Sequence, residues 1–242
     1  TPAFPYANAF YGHQLSAALV FVTFFIGFTK SSLLPLKSAF LGFLLAYSVI
    51  TEYPVFILAA LVFFYICYQL INQQRTSQIF WVVIAGGAVA LGWMIYNKTI
   101  FGGFFNLGYS YSELWVDQHH TGFMSLAAPK LEAIWGITFS PFRGLFFYSP
   151  ILLLGLIGFF RWLRDGSYRL EAWVSLVCVL GMFIFNSASG MWWGGFAIGP
   201  RYILPMLPFL CLASCFAITA VQRSFWARVL TLGLMAWSFV II

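Results

Sequence analysis

The sequence predicts an all-α, polytopic membrane protein with about eight membrane segments, and three observations carry that prediction. Hydrophobic residues make up 62% of the 242 positions and charged residues only 7%, where a soluble domain carries about a quarter. The few charges fall into short gaps between apolar runs. Several runs approach the ~20 residues a helix needs to cross hydrocarbon. Such a chain has too few polar side chains to cover itself in water, so its outer surface must face lipid.

The runs are residues 14–28, 38–50, 54–71, 79–96, 146–163, 172–185, 202–220 and 226–242. Four come close to a full crossing. Run 38–50 has only 13 residues and run 172–185 only 14, which calls for tilt, local thinning or burial against neighbours. Runs 38–50 and 54–71 are separated only by Thr51, Glu52 and Tyr53. They form either a tight hairpin or one helix broken near Pro54. The hairpin is preferred, because one continuous helix of 34 residues would overshoot the hydrocarbon layer.

Charge bias supports that choice. With eight alternating spans, Lys30, Lys37, Arg75, Arg161, Arg164, Arg169, Arg223 and Arg228 share one side, eight of the twelve basic residues. Lys98, Lys130, Arg143 and Arg201 fall on the other, with Glu52, Glu113, Asp117 and Glu132. Positive-inside bias makes the first side cytoplasmic. The second side is then extracytoplasmic. A net charge of +6 then reflects topology and anionic lipid rather than a nucleic-acid partner.

Thr1–His13 has no basic n-region and no cleavage signature, and the last run ends the chain. The expectation is a single transmembrane domain, 1–242, cut from a longer protein whose N-terminal part is missing. Cys67, Cys178, Cys211 and Cys215 all lie in apolar runs, with no CxxC pair. They read as small buried residues.

Residues 97–145 form the one extracytoplasmic loop long enough to build a site, with a short helix expected around 127–135. It holds Lys98, Glu113, Asp117, His119, His120, Lys130, Glu132 and Arg143, and every histidine, His13 included, lies on this side. Asp117-Gln-His-His120 offers donors for a divalent metal or for proton transfer, but lacks a strong metal spacing. A solvated hydrogen-bonding loop is the plainer reading.

Arg201 stands out more sharply, within Ser189-Gly-Met-Trp-Trp-Gly-Gly-Phe-Ala-Ile-Gly-Pro-Arg-Tyr202. Glycines 190, 194, 195 and 199 expose backbone, and Pro200 suits a helix opening with Arg201 in its first turn. A helix start with an arginine is a phosphate clamp. The alternative is an interfacial arginine snorkelling beneath Trp192 and Trp193. Arg143, in Ser140-Pro-Phe-Arg-Gly144, enters from the same side, so the two arginines are expected to bind a substrate phosphate together. Glu52, at the hairpin tip, either pairs with one of them or is solvated. Pro205 and Pro208 are expected to interrupt the next helix and leave an apolar groove beside residues 203–209.

Trp193-Gly-Gly-Phe-Ala-Ile-Gly-Pro-Arg-Tyr-Ile-Leu-Pro205 resembles a pattern in GT-C type membrane glycosyltransferases, the superfamily of protein O-mannosyltransferases and lipid A aminoarabinose transferases. Phe139-Ser-Pro-Phe-Arg-Gly-Leu-Phe-Phe-Tyr-Ser-Pro150 and Tyr96-Asn-Lys-Thr-Ile-Phe-Gly-Gly-Phe-Phe-Asn-Leu-Gly-Tyr109 are similar to segments of uncharacterised bacterial members. Glu52-Tyr-Pro54 and Phe4-Pro-Tyr-Ala-Asn-Ala-Phe-Tyr-Gly-His13 also fit. The resemblance implies a polyprenyl-phosphate-linked sugar as donor, an extracytoplasmic acceptor, and transfer with inversion. It places Arg201 near the donor phosphate, and the protein in a bacterial inner membrane with its active face extracytoplasmic. The family's acidic base belongs to an outer loop that would lie upstream of Thr1, so Glu52 and Asp117 are only substitutes and the chain alone is expected to be inactive. His13, His119, His120, Trp192, Trp193 and Tyr202 are candidate substrate contacts. Two alternatives stand beside this reading: a transporter or flippase for a lipid-linked anion, and a non-catalytic membrane scaffold.

Overall fold

The computed structural model describes residues 2–3, 11–29, 34–111, 125–166, 168–221 and 224–241. Among them the architecture is all-helical, and the sole β contact is one isolated antiparallel bridge, Leu126 to Ser189. Four helical stretches are long and apolar enough to cross a membrane: Tyr53–Asn72, Ser77–Phe101, Arg169–Ala188 and Arg201–Ile218. Gly12–Phe28, Pro35–Thr51 and Phe225–Val240 are shorter apolar helices. These features are compatible with an integral membrane protein.

We number the helices α1 (Gly12–Phe28), α2 (Pro35–Thr51), α3 (Phe56–Asn72), α4 (Ser77–Phe101), α5 (Leu131–Thr138), α6 (Leu153–Asp165), α7 (Arg169–Ala188), α8 (Leu207–Val221) and α9 (Phe225–Val240). The chain between α2 and α3 is broken, as the two short runs require. Glu52 is extended (φ −148°, ψ 104°), and Tyr53–Val55 form one 3-10 turn that includes Pro54. Proline removes a backbone donor and restricts the residue before it, so a continuous helix is unfavourable there.

The core is aromatic. Phe24 of α1 meets Phe209 of α8 and Tyr65 of α3, each at 5.2 Å between ring centroids, and Trp162 of α6 stacks on Phe216 of α8 at 4.4 Å. Two crossings depend on small residues. A Cβ on Gly42 of α2 would overlap the Val82 carbonyl of α4, and one on Gly158 of α6 would overlap the Ala213 carbonyl of α8. Only glycine lets these backbones approach so closely. By contrast, α4 buries only Val82 and Asn97, leaving Phe80, Trp81, Ile84, Leu91 and Ile95 exposed along its length. Such a flank suits lipid.

Three sequence expectations change. The short loop helix occupies Leu131–Thr138, four residues beyond its expected start, because the chain before it runs extended alongside the end of α7. Ala127 N–H donates to Ala188 O (2.8 Å), Gly190 N–H to Ser125 O (2.8 Å) and Lys130 N–H to Ser187 O (3.1 Å). Among the described residues, no open groove lies along residues 203–209 either. Ile203, Leu204, Met206, Leu207 and Phe209 are buried in the core. Finally, Cys211 and Cys215 are exposed on α8 while Cys178 is buried. A thiol is apolar enough to face a hydrocarbon surface.

Candidate functional site

The two ends of the bundle differ in chemistry. At one end Phe28 of α1 packs on Tyr168 (5.0 Å) and Trp162 (6.5 Å). Just inside it, Tyr65 O–H donates to Glu171 Oε1 at 3.0 Å and Gln69 Nε2 donates to the same oxygen at 3.1 Å. Glu171 is only 4% exposed. It was missed in the sequence because it sits just ahead of an apolar run, where a solvated linker carboxylate looks the same.

The opposite end gathers the start of α1, the end of α2, and the glycine-rich segment leading into Arg201. His13 Nδ1 lies 3.0 Å from Glu52 Oε1, an ion pair when the imidazole is protonated and a hydrogen bond when it is neutral. Both side chains are withdrawn from solvent, His13 in the first turn of α1 and Glu52 at the α2 break. Gly12 makes the approach possible: a Cβ there would stand 2.8 Å from Thr51 O and 2.9 Å from Glu52 Oε1. Glu52 is thus paired with a histidine, a partner outside the alternatives that the sequence offered.

Arg201 adjoins this pair through two shared tyrosines. Its guanidinium carbon lies 4.9 Å from the Tyr11 ring centroid and 5.0 Å from that of Tyr202. The His13 ring stacks parallel to Tyr11 at 6.2 Å and meets Tyr202 edge-on at 5.4 Å. Aromatic faces attract a guanidinium and hold its plane in a fixed orientation. Gly194 (φ +74°) curls around the arginine stem, where a Cβ would come within 3.1 Å of Arg201 Cγ. A left-handed residue packed this closely is best served by glycine.

The segment that opens at Arg201 is a 3-10 helix, Arg201–Met206, and the α-helical ladder begins only at Leu207. Pro205 and Pro208 have no N–H to give to the carbonyls of Arg201 and Leu204, so an α-helix cannot start earlier with its full set of bonds. Arg201 N–H itself bonds Gly199 O (3.1 Å). Any anion recognition here therefore falls to side chains more than to a row of free helix donors.

Arg143 faces the same segment with a different partner set. It is 8% exposed, its Nη2 donates to Gly195 O at 2.7 Å, and its Nη1 donates to Ala197 O. Its guanidinium lies 4.4 Å from the Phe142 ring centroid. In this arrangement it fastens the loop that surrounds Arg201. Trp192 wedges against α5, where a Cβ on Gly136 would overlap its ring, and Trp193 meets Trp192 edge-on at 5.9 Å. Asn186 Nδ2 holds Trp192 O at 3.2 Å.

Asp117, His119 and His120 lie outside the described residues. Among those described, no three His, Cys, Asp or Glu side chains gather as a metal-ligand set. At this end the sequence also gives no signal for Tyr11, whose ring joins His13 to Arg201; an aromatic near a helix start reads equally well as an interfacial belt. Compared with known protein families, curated proteins and solved structures, the chain finds no match.

Proposed function

We propose that the chain is the membrane domain of a GT-C type glycosyltransferase, which moves a sugar from a polyprenyl-phosphate donor to an extracytoplasmic hydroxyl with inversion. All eight apolar runs serve as membrane segments, and the His13–Glu52–Arg201 end faces away from the cytoplasm. The observation that carries the reading is the placement of Arg201 between Tyr11 and Tyr202, beside an imidazole–carboxylate pair. Sugar transfer from a lipid phosphate needs charge neutralised on the departing phosphate and a proton removed from the acceptor. This end of the bundle carries groups of both kinds. The charge bias of the linkers and the resemblance around residues 193–205 point the same way.

In this reading Arg201 contacts the donor phosphate and Arg143 keeps the loop around it in shape. The buried 203–209 stretch leaves the polyprenyl tail to an exposed helix flank. The test is sugar transfer by the full-length protein in reconstituted vesicles, with radiolabelled polyprenyl-phosphate sugars. Arg201→Ala should cost about 2–4 kcal/mol of transition-state stabilisation, the worth of one oxyanion donor. Arg201→Lys should recover part, since charge remains while the planar fork is lost. Parental transfer by a folded Arg201→Ala protein refutes the assignment. Movement of the lipid-linked sugar across the bilayer without transfer would favour a flippase instead.

A further inference from the structure

At the bundle end remote from Arg201, α6 and α8 leave a cleft between them. The two helices run parallel, since Gly155 meets Leu210 and, one turn on, Gly158 meets Ala213. Beyond that close contact they border an open cleft of about 730 Å³, lined by Ile157, Phe160, Arg161, Arg164 and Asp165 of α6 and by Phe216 of α8. Residues 157, 160, 161 and 164 follow the spacing of a single helix face. That face turns from apolar to basic over about 10 Å. Phe216 stacks on the buried Trp162 at 4.4 Å, so the α8 wall is held in place. The Arg164 guanidinium lies over the Phe160 ring, 3.9 Å from its centroid. The contact orients the guanidinium plane and leaves its N–H edge for an acceptor. Among the described residues, neither Arg161 nor Arg164 has a carboxylate within ion-pair distance or an acceptor within hydrogen-bond distance.

We infer that this cleft binds one anionic phospholipid of the phosphatidylglycerol type. Its phosphodiester sits between Arg161 and Arg164, and an acyl chain lies against Ile157, Phe160 and Phe216. The inference rests on the chain lying in a membrane and is independent of the sugar-transfer reading, which concerns the other end. Basic pockets between membrane helices suit anionic lipid heads. Two guanidiniums and one carboxylate give the cleft a net charge of +1, which a single phosphodiester balances. Asp165 then accepts a hydrogen bond from a head-group hydroxyl. A choline head offers Asp165 no donor and leaves the net charge uncompensated. A free phosphate would leave Ile157 and Phe160, both exposed, without an apolar partner. The lipid thus fills the opening between two parallel helices at the level where their close packing ends.

The experiment uses the full-length protein in phosphatidylcholine vesicles that contain a little phosphatidylglycerol with a photoactivatable acyl chain. Labelled peptides are mapped by mass spectrometry. Label should appear on residues 156–164 and 212–216. Unlabelled phosphatidylglycerol should displace it, while inorganic phosphate and further phosphatidylcholine should not. Replacing both arginines, Arg161→Gln with Arg164→Gln, should weaken labelling of these segments by about 30-fold, the worth of two basic residues at an anionic head. Arg169→Gln with Arg228→Gln removes as much charge outside the cleft and should leave the labelling as in the parent. Absence of label from both segments in the parent overturns the inference. So does equal displacement by phosphatidylcholine, which would mean unselective lipid contact, or displacement by inorganic phosphate, which would mean a free-anion site. Equal loss in the two double variants would assign the effect to diffuse surface charge and overturn it as well. Should the Arg161/Arg164 variant fail to fold, the displacement series on the parent decides.

Discussion

Removing Arg143 should loosen the loop around Arg201 without any substrate present. Arg143→Ala deletes two charge-assisted bonds, to Gly195 O and Ala197 O, each worth about 1.5–3 kcal/mol. It also deletes a cation–π contact with Phe142 at 4.4 Å, worth about 0.5–2 kcal/mol. The sum overstates the effect, because a relaxed loop lets water reach both carbonyls and the three contacts share one side chain. A net cost of about 2–4 kcal/mol remains, which raises the open population of the loop roughly 30- to 700-fold at tenfold per 1.4 kcal/mol. Hydrogen exchange reads such local openings directly. The peptide covering residues 191–201, whose amides at Gly194 and Arg201 are bonded within the segment, should exchange faster by that factor. A peptide around Tyr65 and Gln69 should not change. Arg143→Lys should recover roughly half, since an ammonium replaces one of the two directed bonds. Unchanged exchange in 191–201 for Arg143→Ala would refute the fastening role and return this arginine to the substrate.

The remaining predictions concern topology and packing. Cysteine labels at Gln74 and Arg164 should report cytoplasmic exposure and labels at Phe105 and Phe196 the opposite face; Gln74 and Phe196 reacting from one side would sink the eight-segment arrangement. Gly42→Ala should lower the melting temperature in detergent, because its Cβ meets the Val82 carbonyl. Gly87→Ala, with open space around its Cβ, should be neutral or stabilising by up to about 1 kcal/mol. Equal effects at both positions would show that α2 and α4 are not in close contact. Glu171→Leu leaves the Tyr65 hydroxyl buried without its acceptor, at about 1–3 kcal/mol, while Gln69 Nε2 keeps its bond to Tyr65 Oη; Glu171→Gln keeps an oxygen for the hydroxyl. Equal melting points for these two variants would show that the network contributes nothing.

Much of the fold was legible because long apolar runs leave the backbone few solutions. Helix is one of only two ways to satisfy a spanning backbone, so long apolar runs such as 79–96 had to become helices, and Ser77–Phe101 is one. The break at Glu52 followed from length and from Pro54 alone. Local chemistry was less legible where a distant segment competed for it. Residues 127–130 look helical by pattern, yet their donors go to the end of α7, a partner about 60 positions away in the chain. The expected groove failed for a related reason. Prolines 205 and 208 do disturb the helix, but a 3-10 turn absorbs the disturbance, and apolar side chains from that turn fill the space.

Arg201 and its two partners differ in how plainly the sequence marks them. Arg201 was visible because its neighbours are unusual: glycines and a proline ahead of an apolar run. His13 and Glu52 each looked ordinary, and nothing in a 39-residue separation announces a contact. Yet α1 and α2 run as consecutive antiparallel elements of 17 residues each. The start of the first must then lie at the same depth as the end of the second, and Gly12 removes the side chain that would hold them apart. By the same count, the residue that opens the stretch 201–206 returns to that depth after α7. Polar side chains at equal depth in a membrane bundle have few partners besides each other. Depth, counted from helix lengths and turn positions, therefore places His13, Glu52 and Arg201 at one end together with Lys98, Glu132 and Arg143, and the missing side chain at Gly12 singles out His13 and Glu52 as the pair that can touch.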